Sequence, residues 1–204
     1  MITVVDYGLG NIRAFLNAFR QLNIEARTAV DAEGLAGTTK VVLPGVGHFD
    51  HAMGRLEASG MRAALDELVL SRKVPALGIC VGMQILARTS DEGTRPGLGW
   101  VDGRVRSFAG WQPAQALPMP HMGWNDVRPA APGGLFAQLE DDSRFYFLHS
   151  YFFECAQGDE ALAVASYGAE FACAVRHDNI YGVQFHPEKS HHFGTRLLQN
   201  FAEL

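Results

Sequence analysis

The sequence is short of cysteine, of charge of one sign and of long apolar runs, and each shortage closes off a class of protein. Its three cysteines, Cys80, Cys155 and Cys173, are odd in number and far apart in a chain of 204 residues. They suit neither a disulfide framework nor a paired-cysteine metal site, and they fit a reducing cytoplasm. Lys and Arg number 17 against 22 Asp and Glu, a net charge of −5 with no block of either sign. Binding to nucleic acid needs clustered cations, so no nucleic-acid partner is expected. No apolar stretch approaches the roughly 20 residues of a membrane span, and the opening MITVVDYG lacks the charged start of a signal peptide. There is no internal repeat and no linker. Gly8 and Gly10 begin a dinucleotide fingerprint, but Arg13 stands where its last small residue belongs, so nucleotide binding at this turn is rejected. His186, His191 and His192 lie close in sequence, but no Cys or acidic cluster completes a ligand set, so neither a metal nor another cofactor is expected.

What is present is a hydrophobic content of 48%, enough for a substantial core, and an α/β order of elements. A single domain over residues 1–204 is expected. Apolar, β-branched runs at Ile2–Tyr7, Ile24–Val30, Lys40–Leu43 and Val74–Cys80 read as buried parallel strands. Helical periodicity at Ile12–Leu22 and Met61–Arg72 falls between them. That alternation predicts an open, mostly parallel, doubly wound sheet with a flavodoxin-like core. After Thr89 the texture changes. Strands are expected at Gly99–Val101, Arg104–Phe108, Trp124–Arg128, Arg144–Tyr151, Leu162–Tyr167, Phe171–Arg176 and Ile180–Phe185, with a Pro-rich loop over Trp111–Pro120 and a turn at Asp178-Asn179. The C-terminal half therefore adds mixed or antiparallel β-structure, and a helix over Phe193–Phe201 closes the chain.

Two stretches carry chemistry. Lys73–Thr89, KVPALGICVGMQILART, reads as strand, sharp turn and helix, with Gly78 and Gly82 bracketing Cys80 as G-x-C-x-G. This is the thiol version of the nucleophile elbow. A helix starting after the cysteine aims its free N–H groups and positive end at the sulfur, which favours the thiolate. The N–H of Val81 is then placed to stabilise an oxyanion. A free cysteine is also a common buried core residue, and the elbow pattern alone leaves both readings open. The second stretch, YGVQFHPEKS, ends a strand at His186-Pro187-Glu188. A histidine and a carboxylate two residues apart point the same way if the extended backbone continues. They make the base and orienter that a cysteine nucleophile needs, whereas alone they read equally as a polar loop after a strand.

GICVGMQ, HPE and Pro44-Gly45-Val46-Gly47 resemble the class I, triad-type glutamine amidotransferases. DYGLGN, PHMGWN (Pro120–Asn125), FLHSYF (Phe147–Phe152) and YGVQFHPEKS are similar, more closely, to the glutaminase subunits of histidine biosynthesis. These motifs run from residue 6 to residue 190. The resemblance implies hydrolysis of L-glutamine by Cys80, His186 and Glu188 through a thioester. It implies an oxyanion hole from the backbone of Val46, Gly47 and Val81, and substrate contacts from Gln84, Ser150 and Tyr151. It also implies a partner, a (β/α)8-barrel synthase that receives the ammonia, with Asn11 and Lys189 expected at the interface. One departure is Ala14, where the family pattern commonly has a small polar residue; it bears on local interface contacts. By spacing alone Gln84 is a helix-surface amide and FLHSYF an ordinary strand. His121 belongs to PHMGWN, and the residues assign it no role. The competing readings are a glutaminase serving another synthase, a γ-glutamyl peptidase, and a catalytically silent scaffold subunit on the same fold.

Overall fold

In the computed structural model, which describes residues 1–139 and 143–204, the first half of the chain winds a parallel sheet. Strand β1 (Ile2–Val5) leads through α1 (Ile12–Gln21) to β2 (Ala26–Ala29), then β3 (Lys40–Gly45), α2 (Phe49–Ala58), α3 (Arg62–Asp66) and β4 (Ala76–Cys80). β1 pairs in parallel with β2 and β3, and β3 with β4. The residues of β1 and β4 are buried throughout, as expected of strands covered on both faces. Helix α1 starts where Asn11 Oδ1 accepts the N–H of Ala14 at 3.3 Å, and it buries Phe15 and Phe19.

After β4 come the short helix α4 (Val81–Gln84), β5 (Thr89–Ser90), β6 (Gly103–Ser107), β7 (His121–Asp126), β8 (Arg128–Pro129), β9 (Arg144–His149), β10 (Tyr151–Cys155), β11 (Ala161–Tyr167), β12 (Ala169–His177), β13 (Ile180–Val183) and α5 (His191–Glu203). Among the described residues the main sheet runs β2-β1-β3-β4-β13-β12-β10-β6-β5. β13 joins β4 in parallel, and from there the pairing turns antiparallel through β12, β10 and β6. The mixed α/β architecture is thus the one expected, with antiparallel strands added to a parallel core. β7 and β9 stand apart as an antiparallel pair with His121 opposite His149. No helix among the described residues is long and apolar enough to cross a membrane.

Several expectations need correction, among them the single strand over Arg144–Tyr151, which is divided at Ser150 into β9 and the start of β10. A helix over Phe49–Ala58 was not read from the sequence, although Phe49, Ala52, Met53 and Leu56 are its buried face at helical spacing. Its mid-helix Gly54 and its polar residues diluted the signal. The segment Met61–Arg72 is not one regular helix: α3 gives way to a π-helical turn at Glu67–Ser71. Gly99–Val101 is irregular rather than a strand, because Gly99 takes φ +66° and the N–H groups of Gly99 and Val101 bond back to Ala87 and Leu86. The helix after Cys80 closes at Gln84 instead of running towards Thr89. The N–H groups of Leu98 and Val101 tie Ile85 and Leu86 into the next loop.

Candidate active site

Cys80 ends β4 with φ 55° and ψ −114°, a backbone conformation that a residue with a side chain rarely adopts. Strain of this kind costs roughly 1–3 kcal/mol and persists only where the surroundings enforce it. The neighbouring glycines show how they do so. A Cβ on Gly78 would meet the carbonyl oxygen of Gly82 at 2.5 Å, and one on Gly45 would meet the Gly82 nitrogen at 2.5 Å. A Cβ on Gly82 would run into the carbonyl of Leu43. Strand β3, strand β4 and the start of α4 therefore pack backbone to backbone around the sulfur. With α4 only four residues long, its dipole contributes little at the sulfur. The larger charge beside the sulfur belongs to a histidine.

That histidine is His186. The chain leaves β13 after Val183 and enters a 3-10 turn at Pro187–Lys189. It is this turn, not a continuing strand, that brings His186 Nδ1 to 2.9 Å from Glu188 Oε1. Both side chains are almost wholly buried. Burial opposes the charged imidazole, but hydrogen bonds to Cys80 and Glu188, with the charges of both, outweigh it and push His186 up to about 10. Cys80 and Glu188 thus favour the charged form of the imidazole between them. The turn is clamped to β9: the N–H of His186 donates to the Tyr146 carbonyl (2.9 Å), the N–H of Tyr146 to Ser190 Oγ (3.0 Å), and Ser190 Oγ to the His186 carbonyl (2.7 Å).

The sulfur opens on a cavity of about 290 Å³, at the small end of ligand pockets, which run roughly 300–1,000 Å³. Every residue expected from the sequence for catalysis, oxyanion binding or substrate contact lines it, except Glu188, which stands behind His186. Val46 and Gly47 face it from the loop after β3, and Val81, the first residue of α4, has an N–H with no acceptor within its own helix. Tyr7 Oη donates to the Pro44 carbonyl at 2.7 Å beneath that loop. Burial, then the charge of Cys80, hold its phenol well above the ordinary value, so it stays a donor.

Gln84 is not a surface amide. It is buried, and its Nε2 donates to Gln184 Oε1 (3.0 Å) and towards the Tyr151 carbonyl (3.4 Å). Gln184, not singled out from the sequence, is fully buried and directs its Nε2 at Cys80 Sγ, 3.8 Å away. The signal was a polar residue inside the apolar run YGVQF. Glu92 was also missed. It lines the cavity and accepts the N–H of Phe49 at 2.8 Å. Lys189 lines the cavity too, with its Nζ 5.7 Å from the centre of the Tyr146 ring, while the side chain of Asn11 is engaged as the cap of α1.

Ala14 stands near the carboxylate of the triad. It lines a second cavity, of about 360 Å³, together with Glu188, whose buried Oε2 has no hydrogen-bond partner among the described residues. The other histidines of that region pack on rings: His191 stacks on Trp124 and His192 lies against Phe193. Cys155 and Cys173 stay thiols, since burial pushes both far up, Cys155 to about 12.

A buried cysteine on a strained turn, a charged histidine held by a carboxylate, and backbone N–H groups around one small cavity define a thiol-dependent acyl-transfer site. The sequence model of the class-I glutamine amidotransferases matches residues 3–204, and the chain belongs to that family. A glutamine amidotransferase crystal structure has a similar fold, with a TM-score of 0.76 at 22% identity over 99% of this chain and 97% of that one. The crystal structure of a putative GMP synthase component from Thermoplasma acidophilum gives 0.74 at 22% identity, covering 99% and 92%. Within the family, the chain falls among the HisH subunits of imidazole glycerol phosphate synthase. It is 61% identical to that of Bdellovibrio bacteriovorus and 50% identical to that of Leptospira interrogans, each over 100% of both chains.

Proposed function

We propose that Cys80, His186 and Glu188 hydrolyse the side-chain amide of glutamine in the 290 Å³ cavity. The chain is the glutaminase subunit of imidazole glycerol phosphate synthase, and the observation that supports this assignment of roles is the Cys80–His186–Glu188 geometry at the cavity wall. The thiolate attacks the amide carbon, and the carbonyl oxygen takes the developing charge against the N–H of Val81 and one from the Val46–Gly47 loop. His186 takes the proton of the thiol and donates it to the leaving nitrogen. Ammonia departs and a thioester remains. His186, now neutral, takes a proton from water, which attacks the thioester and releases glutamate. Glu188 holds the imidazole and its charge throughout. The lining pairs a carboxylate, Glu92, with the Ser150–Tyr151 segment and Gln84, which suits the α-amino and α-carboxylate end of the substrate.

The partner is a (β/α)8-barrel synthase subunit that receives the ammonia. Support comes from the rim of the cavity. On the outer face of β7–β9, Met122 stands opposite Leu148 and Trp124 opposite Tyr146. Met122, Trp124 and Leu148 are exposed, as is Val46 on the oxyanion loop. Lys189 belongs to this interface, and a Lys189→Glu substitution that left complex affinity and activation untouched would remove it. Asn11 stays in the interface by resemblance alone. Residues 1–204 act as one domain, in the cytoplasm.

The test is glutamate release from glutamine by the chain alone, then with the barrel synthase and its ribulosyl substrate, with Cys80→Ala as control. Strong activation by the partner, abolished in the variant, is expected. Equal activity without the partner would favour a γ-glutamyl peptidase or another free-standing glutaminase. Silence in a complex shown to form would favour a scaffold subunit.

A further inference from the structure

The mechanism uses nothing from the inner face of β7–β9, yet that face buries polar side chains. His121 and His149 face each other across the ladder, 4% and 6% exposed, with His121 Nδ1 2.9 Å from His149 Nε2. Burial holds both imidazoles down, His149 to about 3 and His121 to about 4, so both rings are neutral at neutral pH. A neutral ring has one donor and one acceptor. Which nitrogen is which follows from the backbone at the two ends of the chain of bonds. His149 Nδ1 lies 2.7 Å from the Tyr151 carbonyl, which only accepts, so Nδ1 carries the proton and Nε2 accepts. His121 Nδ1 must then donate to it, and His121 Nε2 accepts from Asn125 Nδ2 at 3.1 Å. The Asn125 amide is oriented independently: Nδ2 donates to the Ser166 carbonyl (2.8 Å), and Oδ1 accepts the N–H of Asp126 (2.9 Å).

Donation therefore runs one way, Asn125 to His121 to His149 to the Tyr151 carbonyl. That carbonyl belongs to the Ser150–Tyr151 segment in the cavity wall, and Gln84 reaches it from the other side. If His121 ceased to donate, the proton of His149 would be free to move to Nε2. Nδ1 would then turn a lone pair towards the carbonyl and release it.

We propose that His121 and Asn125 are positioning residues of the glutamine site: acting through His149, they fix the imidazole tautomer that anchors the Tyr151 carbonyl, and with it the Ser150–Tyr151 segment, beside the bound substrate. The inference rests on the glutaminase reading, with Ser150 and Tyr151 holding the amino-acid end. It predicts a loss in substrate binding more than in chemistry, because the nucleophile and the triad are untouched.

His121 also stacks on Phe147 and Tyr167, at 4.9 and 4.2 Å between ring centres, so the variants must separate packing from donation. His121→Phe keeps a ring and removes the donor. His121→Asn loses the ring but places an amide nitrogen where Nδ1 stood. Glutamate release is measured in the complex with the barrel synthase and its ribulosyl ligand. The expected result is a KM for glutamine raised about tenfold in His121→Phe, the loss of one buried hydrogen bond, with kcat changed less than about threefold and most of the KM restored in His121→Asn. An unchanged KM in His121→Phe, or His121→Asn impaired as badly, would overturn the proposal. A second readout needs no activity. Imidazole 15N–1H correlation spectra of the wild-type chain at neutral pH should show His149 protonated on Nδ1 alone, and in His121→Phe a shift of that population towards Nε2. A wild-type His149 protonated on Nε2 or on both nitrogens would sink the idea. If the wild-type complex released no glutamate, the glutaminase reading would fall on its own, and the spectra would still decide the tautomer.

Discussion

The β4 elbow and the β7–β9 pair line the same cavity and are built in opposite ways. At the elbow, position is set by backbone: the strained torsions of Cys80 and the glycine contacts of β3, β4 and α4 leave the sulfur one place to be. In β7–β9, position is set by side chains, and both faces are mixed: buried Phe145 and Phe147 share the inner face with polar groups, and Asp126 and Arg144 share the outer face with apolar ones. Polar His121, His149 and Asn125 lie on the inner face, while Met122, Trp124 and Leu148 lie on the outer. A free-standing sheet buries its apolar face. This pair also leaves Met122, Trp124 and Leu148 exposed beside an active site, and exposed apolar patches of this kind mark association sites. The elbow is thus complete within the chain, whereas the wall opposite leaves apolar side chains uncovered.

That contrast breaks first at the nucleophile. Cys80→Gly should lower glutamate release by at least about 10³-fold. It should nevertheless leave thermal unfolding unchanged or raised, because glycine accepts φ 55° without the roughly 1–3 kcal/mol of strain. A clear drop in melting temperature would mean that the turn is not strained. Next comes Gly82→Ala, which carries no chemistry. It should destabilise the fold by about 3 kcal/mol in denaturant titration, since its methyl has no space against Leu43. On the other side, Trp124→Ala should leave unfolding of the isolated chain within about 0.5 kcal/mol and weaken the complex with the barrel synthase about tenfold in calorimetry. A large loss of stability instead would make Trp124 a core residue by way of His191.

The last effect is a slope, in the pH dependence of stability. His121 and His149 are held down to about 4 and about 3 in the fold. Below about 6.5 the unfolded chain binds protons that these rings refuse. Their contribution to stability is complete above that pH and is lost as pH falls through the folded values, by roughly 1.4 kcal/mol per pH unit for each ring. His121→Phe should remove one such slope between pH 6 and 4. His186, raised to about 10, acts with the opposite sign: its contribution is full below about 6.5 and is lost as pH rises through about 10.

Much of this was legible in the sequence because the signals are local. β-branched runs, helical periodicity and the glycines around Cys80 each act within a few residues, and they gave the parallel half of the fold and the nucleophile. His186 and Glu188 were legible too, although a 3-10 turn, not an extended strand, joins them. What stayed hidden depends on register. His121 and His149 are 28 residues apart and meet only because β7 pairs with β9. Gln184 reaches Cys80 across 104 residues through the parallel pairing of β13 with β4. Helix α2 is faint for a local reason: Phe49, Ala52, Met53 and Leu56 repeat as a helix should, but Gly54 and the polar residues between them dilute the period.

The packing around Gly82 reaches further than the elbow. Because its α-carbon lies against the Leu43 carbonyl, and Gly45 against its nitrogen, the strand bearing the oxyanion loop and the helix after the nucleophile share a seam of backbone against backbone. A saturation library scored by growth without histidine should therefore mark Gly45, Gly78 and Gly82 as intolerant as Cys80 itself. The same library scored only for soluble protein would separate them: substitutions at Cys80 survive and those at the glycines do not. An essential position in such a map is not by that fact a chemical one, and here the two kinds lie within two residues of each other.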